Sequence, residues 1–257
     1  MLKSNTTTRA ELFNMDCIEG MSCFLDAKFD LVFTDPPYNV ALPKDANKTI
    51  KRWRGGNILT DDWDKFTKEQ YEKFTKTWMK EAYRLLRPKG WFCVWCSWRN
   101  IPDFINIAKK LGLQYRNLFT FAKTNPALSF PIGLVASCEY VLVFYKHSLD
   151  SSYEKYLNKK QIMYDYVVQP AVSQKERELA RGHPTVKPLN ITEKFIKHLT
   201  KKGDWVLDPF MGSGTAAVAC QKYDRNCVGF EINRNYYKTA LKRIETEKSQ
   251  ERLKKWV

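Results

Sequence analysis

The sequence predicts an α/β domain with a mainly parallel sheet and helices on both faces, and three observations carry that prediction. Short apolar runs alternate with longer stretches of helical spacing along most of the chain. The runs are β-branched and aromatic, as in Cys138-Glu139-Tyr140-Val141-Leu142-Val143-Phe144-Tyr145. Two of the runs pass directly into short motif-like turns, Asp35-Pro36-Pro37-Tyr38 and Asp208-Pro209-Phe210-Met211-Gly212-Ser213-Gly214-Thr215. With 257 residues, 44% of them hydrophobic, the chain suits a single domain with a sizeable core.

The elements follow in order. Phe29-Asp30-Leu31-Val32-Phe33-Thr34 reads as a buried strand, ended by Pro36 and Pro37, which cannot continue a ladder. Residues 41–57 read as a basic loop. Helical spacing of Tyr71, Phe74, Trp78, Met79, Ala82, Leu85 and Leu86 predicts a helix over 67–86, stopped by Arg87-Pro88-Lys89-Gly90. A strand at 91–97, a helix near 101–111 and strands at 117–123 and 138–146 come next. Residues 147–182 are polar, mixed in charge and without clear period, and are expected to be an insertion. A helix from Pro188 to about Thr200 precedes the strand Trp205-Val206-Leu207. The glycine turn then opens a helix from Ala216 to Lys222, a strand spans Asn226 to Phe230, and a basic amphipathic helix closes the chain.

Charge points to the partner. Lys and Arg number 43 against 28 Asp and Glu, a net +15, which suits a polyanion whose counterions are released on binding. The seven cysteines are odd in number, no apolar leader opens the chain, and no stretch approaches the roughly 18 apolar residues that cross a bilayer. A cytoplasmic protein with reduced thiols, away from membranes, is the expectation. Cys93 and Cys96 form a CxxC, but three positions apart on a strand they face opposite ways, so no metal is expected there.

The turns carry the chemistry. An aromatic amine is a weak nucleophile because its lone pair is delocalised into the ring. A carboxylate accepting one N–H, as Asp35 could, exposes that lone pair, and the Pro36 carbonyl beside Pro37 offers a rigid second acceptor. Tyr38 could stack on an extruded base. The plainer reading is a strand-ending turn with an ordinary Asp. In the second turn, Gly212 and Gly214 let backbone approach a nucleotide-like ligand at a helix N-terminus. Glu231 stands 19 positions after Gly212, near the roughly 20 at which a carboxylate reaches ribose hydroxyls. A phosphate or NAD site is the alternative. Asp16 and Asp208, and the missing third glycine, favour a ligand that carries a sulfonium and an α-amino group.

Together these residues resemble the β-class S-adenosylmethionine-dependent DNA amino-methyltransferases, the N6-adenine/N4-cytosine group. In that family the DPPY motif precedes the FxGxG motif, a circular permutation of the Rossmann-like methyltransferase fold. The resemblance covers about 13–146 and 183–240. It includes Asn14-Met15-Asp16-Cys17, Phe121-Ala122-Lys123-Thr124-Asn125-Pro126 and His183-Pro184-Thr185-Val186-Lys187-Pro188. It implies a catalytic turn at Asp35, Pro36, Pro37 and Tyr38. It implies a cofactor site for S-adenosylmethionine at Asp16, Cys17, Asp35, His183, Thr185, Lys187, Asp208, Pro209, Phe210, Gly212, Ser213, Gly214, Thr215, Glu231 and Asn233. DNA contacts are expected from Asn39, Lys123 and Asn125, and from Lys44, Lys48, Lys51, Arg52 and Arg54 in a loop at 41–64, with target recognition at about 147–182.

The expected activity is methylation of an exocyclic amino group in double-stranded DNA. Adenine N6 is favoured because the motif begins with Asp, where N4 enzymes more often have Ser. Cytosine N4, or an inactive DNA-binding module of the same fold, are the alternatives. A homodimer and a cognate restriction endonuclease are further partners that the resemblance brings.

Overall fold

The computed structural model describes residues 8–39, 66–126, 135–147, 163–180 and 185–254. Eight strands form one sheet: β1 (Ala10–Phe13), β2 (Phe29–Thr34), β3 (Leu86–Cys96), β4 (Leu113–Lys123), β5 (Cys138–Lys146), β6 (Tyr166–Gln169), β7 (Trp205–Asp208) and β8 (Asn226–Phe230). Their spatial order is β1-β8-β7-β2-β3-β5-β4-β6. All neighbours are parallel except where β5 runs against β3 and β4, so the expected mainly parallel sheet is what forms.

Helices cover both faces. On one side lie α1 (Cys17–Ser22), α2 (Lys68–Leu85) and α3 (Ile101–Lys110), packing Met21, Trp78, Met79 and Phe104 onto Val32, Phe92 and Leu207. On the other lie α5 (Leu189–Leu199), α6 (Thr215–Lys222) and α7 (Arg234–Lys254), which follow the short α4 (Gln174–Leu179) and pack Phe195, Ala217 and Ile244 near Phe33, Cys93 and Val206. Every residue of β2 is buried, as a central strand covered on both faces requires. Cys93 and Cys96 belong to the two opposite cores, in keeping with their strand spacing.

Helix α2 shows how local chemistry fixes an element. Thr67 accepts from the Gln70 amide at 3.2 Å while the Gln70 side chain accepts from the Thr67 amide at 2.9 Å, a reciprocal cap. Tyr71, Thr75, Trp78, Met79, Ala82 and Leu85 then fall on one buried stripe. The expected stop at Arg87-Pro88-Lys89-Gly90 becomes an excursion inside β3. Phe29 pairs with Leu86 and Leu31 with Trp91, and Lys89 takes φ +64° between them.

Three features depart from the sequence reading. β1 and α1 were not anticipated; Asp16 starts α1 by accepting from the amides of Ile18 at 2.8 Å and Glu19 at 3.1 Å. β4 begins at Leu113, four residues before the expected 117. Within 147–182, where no regular structure was read, β6 extends the sheet beside β4 and α4 carries its own Ser173–Glu176 capping box. β6 is too short for its period to show, and parallel addition to an edge strand leaves Tyr166 and Val168 exposed, which masks its apolar character.

The topology also locates a crevice. From β2 the chain proceeds through α2 to β3 on one side, and from β7 through α6 to β8 on the other. β2 and β7 are parallel neighbours, with Leu31 beside Val206 and Val32 beside Leu207. Their carboxyl ends therefore flank the point where the winding reverses, the usual ligand position in such sheets.

Candidate active site

Both motif turns open at that crevice, around a cavity of about 470 Å³. Asp35, Pro36, Pro37 and Tyr38 line it together with Asp208 to Ser213, Thr215, Glu231 and Asn233, and with Asp16, Cys17, Thr185 and Lys187. Thr34 at the end of β2 donates to Asp208 Oδ1 at 2.7 Å, which ties the two strand tips together. Residues separated by more than 170 positions thus share one pocket.

The catalytic turn is braced from behind. Tyr71 Oη donates to the Pro37 carbonyl at 2.8 Å, and Asn100 Nδ2 donates to the Tyr38 carbonyl and to Tyr71 Oη, both at 3.1 Å. Tyr38 Oη donates to Asp35 Oδ1 at 2.5 Å, and the Lys187 ammonium lies 3.1 Å from Asp35 Oδ2. Lys187 also reaches Glu139 Oε2 at 2.8 Å, and Lys123 pairs with the other oxygen of Glu139. The same ammonium stands 5.1 Å from the Tyr38 ring centroid and 5.4 Å from that of Trp95. Burial pushes the Asp35 pKa up, further than Lys187 and the Tyr38 hydroxyl pull it down. Glu139 feels the same burial, but Lys187 and Lys123 outweigh it and bring its pKa down to about 2.

The glycine turn is built differently. Gly212 and Gly214 adopt φ +54° and +83°, left-handed values that suit glycine. The Gly212 amide donates to Glu231 Oε2 at 2.9 Å, and the Asn233 amide to Oε1 at 2.7 Å. Gly214 is not among the cavity-lining residues; a Cβ there would sit 2.8 Å from that of Ala240, so its lack of side chain serves the contact with α7. Arg243 of α7 donates to the Ser213 carbonyl at 2.7 Å, to Ser213 Oγ at 2.8 Å and to Thr215 Oγ1 at 3.2 Å. Both hydroxyls are thus turned toward the helix behind the bend. Asp208 is buried against neutral partners, the Thr34 hydroxyl and the Phe210 amide at 3.2 Å, and burial raises its pKa to about 7.

The chemistry of the lining selects a ligand class. Among the described lining residues Lys187 is the sole cation, and two carboxylates hold it. Asp16, Asp208 and Glu231 face the same space alongside Phe74, Phe210, Phe230 and Ile232. A pyrophosphate would meet acid there, whereas a sulfonium, an ammonium and ribose hydroxyls meet acceptors. These residues fit S-adenosylmethionine.

Other expected residues lie elsewhere. Asn39 Oδ1 accepts from the Phe66 amide at 3.0 Å, Asn125 Oδ1 accepts from the Ala171 amide at 2.7 Å, and Lys123 pairs with Glu139. None of the three lines the cavity. His183 and the basic loop residues Lys44, Lys48, Lys51, Arg52 and Arg54 fall outside the described residues. Glu139, Trp95, Tyr71, Asn100 and Arg243 escaped the sequence reading. For Glu139 a signal existed: it is the one carboxylate in an otherwise mostly apolar strand, and a charge taken even partly out of water calls for a partner.

Comparison with known proteins agrees with this geometry. The family model described as DNA methylase, of the N6/N4 methyltransferase type, matches residues 29–242. The Type II methyltransferase M2.DpnII of Streptococcus pneumoniae is 31% identical over 246 residues, covering 92% of this chain and 90% of that protein. The crystal structure of an M1.HpyAVI–SAM complex superposes with a TM-score of 0.68 at 26% identity, over 91% of this chain and 98% of that one. PvuII DNA methyltransferase, described as cytosine-N4-specific, gives a TM-score of 0.70 over 95% of this chain and 91% of that one. At 18% identity that last likeness is one of fold.

Proposed function

The chain belongs to the N6/N4 DNA methylase family and is a site-specific DNA amino-methyltransferase using S-adenosylmethionine; from that premise we propose that its acceptor is adenine N6. The observation that carries the reading is the place of Asp35, on the wall of the cavity that also holds Gly212 and Glu231. An Asp at the head of the motif, where N4 enzymes of the resembling group more often carry Ser, selects adenine over cytosine.

S-adenosylmethionine supplies a methyl group already activated as an electrophile, so the residues of this chain chiefly position. Asp35 keeps lone pairs beyond those engaged by Tyr38 and Lys187 and accepts one N–H of the target amine. The Pro36 carbonyl accepts the second, held still because Tyr71 and Asn100 fix the next two carbonyls. The Tyr38 ring, oriented by its hydroxyl bond to Asp35, stacks on the extruded base. Glu231, oriented by the Gly212 and Asn233 amides, would hold the ribose hydroxyls of the cofactor, with Asp16, Asp208 and the Phe210 ring lining the same pocket.

Duplex DNA is the substrate in this reading, with phosphate contacts assigned from the sequence to the basic stretch 41–64, which lies outside the described residues, and target recognition to the region of β6 and α4. The reading extends to a second copy of the chain and to a cognate endonuclease. Sedimentation of the purified protein and protection of methylated DNA from cleavage test those two pairings.

The decisive experiment is transfer from labelled S-adenosylmethionine to unmethylated plasmid, followed by mass spectrometry of the nucleosides. N6-methyladenine is the expected product; N4-methylcytosine overturns the choice of base. Full turnover by an Asp35→Ala protein refutes the acceptor role.

A further inference from the structure

We propose that Lys187 and Glu139 are positioning residues for the catalytic turn: Lys187 fixes Asp35 as an oriented carboxylate, and Glu139 shares that ammonium so that Asp35 stays free to accept from the substrate amine. This rests on reading Asp35 as the acceptor.

Four charges alternate in a row, Asp35–Lys187–Glu139–Lys123, drawn from the turn after β2, the segment before α5, β5 and β4. Lys187 is 8% exposed, and a buried ammonium persists only where its charge is neutralised. Asp35 alone would suffice for that. A one-to-one pair, however, would direct the carboxylate's electron density at the ammonium instead of the cavity. The distances show a different allocation: Lys187 is 2.8 Å from Glu139 and 3.1 Å from Asp35. Lys123, on the far oxygen of Glu139, keeps that carboxylate charged and in place. Two anions and two cations cancel, so the row buries no net charge.

The surroundings of Asp35 make Lys187 decisive. The groups facing it are the Tyr38 hydroxyl in its own turn, the Cys96 thiol at the end of β3, Glu139 on β5, Asp208 at the tip of β7 and Lys187. Lys187 is the single cation among these, and burial already favours the protonated form of Asp35. Taking Lys187 away removes the charge that opposes burial and shifts Asp35 further toward its protonated form. Taking Glu139 away leaves Lys187 wholly to Asp35. The two losses act on Asp35 in opposite directions.

That opposition is the test. Methyl transfer to unmethylated plasmid is followed against pH for the wild type and for Glu139→Gln, Lys187→Met and Lys187→Arg. A ¹³C carboxyl titration, assigned with Asp35→Asn, reports Asp35 in the protein alone. In Glu139→Gln the acid limb of kcat/KM and the Asp35 titration move down by about one pH unit, and in Lys187→Met they move up by about one or more. Lys187→Arg returns both toward the wild type. Calorimetry of S-adenosylmethionine binding gives a Kd within a few-fold of wild type in Glu139→Gln, which keeps Lys187 and is the variant to rely on should Lys187→Met not fold. Limbs that move together, or that stay still while Asp35→Ala is inactive, overturn the inference. So does a Lys187→Met protein that loses cofactor affinity while Asp35 titrates as before. An active Asp35→Ala protein instead overturns the reading beneath it.

Discussion

Two carboxylates stand at the tips of neighbouring parallel strands, Asp35 after β2 and Asp208 at the end of β7, and the fold treats them in opposite ways. Both line the cavity, but Asp35 is given a cation and a phenol. Asp208 is given a threonine hydroxyl and a backbone amide, with burial raising its pKa to about 7. A carboxylate that must accept from a substrate needs its charge maintained, and one that ties two strand tips together does not. The difference separates a charged acceptor from a group that ties the strand tips while lining the same cavity.

The largest effect breaks the first side of that comparison. Asp35→Ala removes the acceptor, and turnover falls by about 10²–10⁴-fold while cofactor affinity, measured by calorimetry, changes little. Activity retained within ten-fold would show that Asp35 is not the acceptor of the substrate amine. The next effect is on the other turn. Gly214→Ala must hold φ +83° with a Cβ 2.8 Å from Ala240, and a loss of about 1–3 kcal/mol of stability is expected from denaturant titration. An alanine variant as stable as wild type would show that α7 can retreat.

How much of this was legible beforehand follows from the same two tips. The turns themselves were readable because proline and glycine punctuate the strands, and the resemblance supplied their roles. Their proximity was a wager on parallel topology, which short buried runs such as 29–34 and 205–208 support without fixing strand order. The partners were not readable. Lys187 meets Asp35 and Glu139 across gaps of 152 and 48 positions, and no local period encodes such an encounter. The β-branched and aromatic strand around Glu139 reads as a strand and nothing more, although its one carboxylate is a clue. Phe121, which heads the segment Phe121–Pro126 that carries part of the resemblance, is packed into the core. β1 and β6 are four residues each, below the length at which alternation separates from chance.

Stability against pH sharpens the second side. The folded pKa of Asp208, about 7, lies above its ordinary value of 3.8, so the folded protein holds a proton that the unfolded chain has released between those values. Its contribution is fully present below about pH 4 and is lost as pH rises through about 7. Asp30, Asp35 and Glu231 are raised too and add in the same direction. In Asp208→Asn the share due to this site disappears. The fall in Tm between pH 5 and pH 8 should shrink by a few degrees, at about 2–4 °C per kcal/mol for a chain of this size. An unchanged fall would mean that Asp208 stays ionised and that its environment is more polar than the Thr34 and Phe210 contacts provide.

The smallest effect tests whether the brace behind the catalytic turn matters to chemistry. Tyr71→Phe deletes the donor to the Pro37 carbonyl and leaves Asn100 still bonded to Tyr38. A neutral hydrogen bond of this kind contributes about 0.5–1.5 kcal/mol. If the bond only stabilises the fold, Tm falls and kcat does not. If it holds the Pro36 carbonyl where the second N–H must arrive, kcat falls by about three- to ten-fold with KM for DNA unchanged, because positioning is felt in the transition state and not in duplex binding. The latter is the expected split, since Tyr71 projects from α2 to the one segment whose carbonyls must not drift, and α2 is already secured by its cap and its buried stripe.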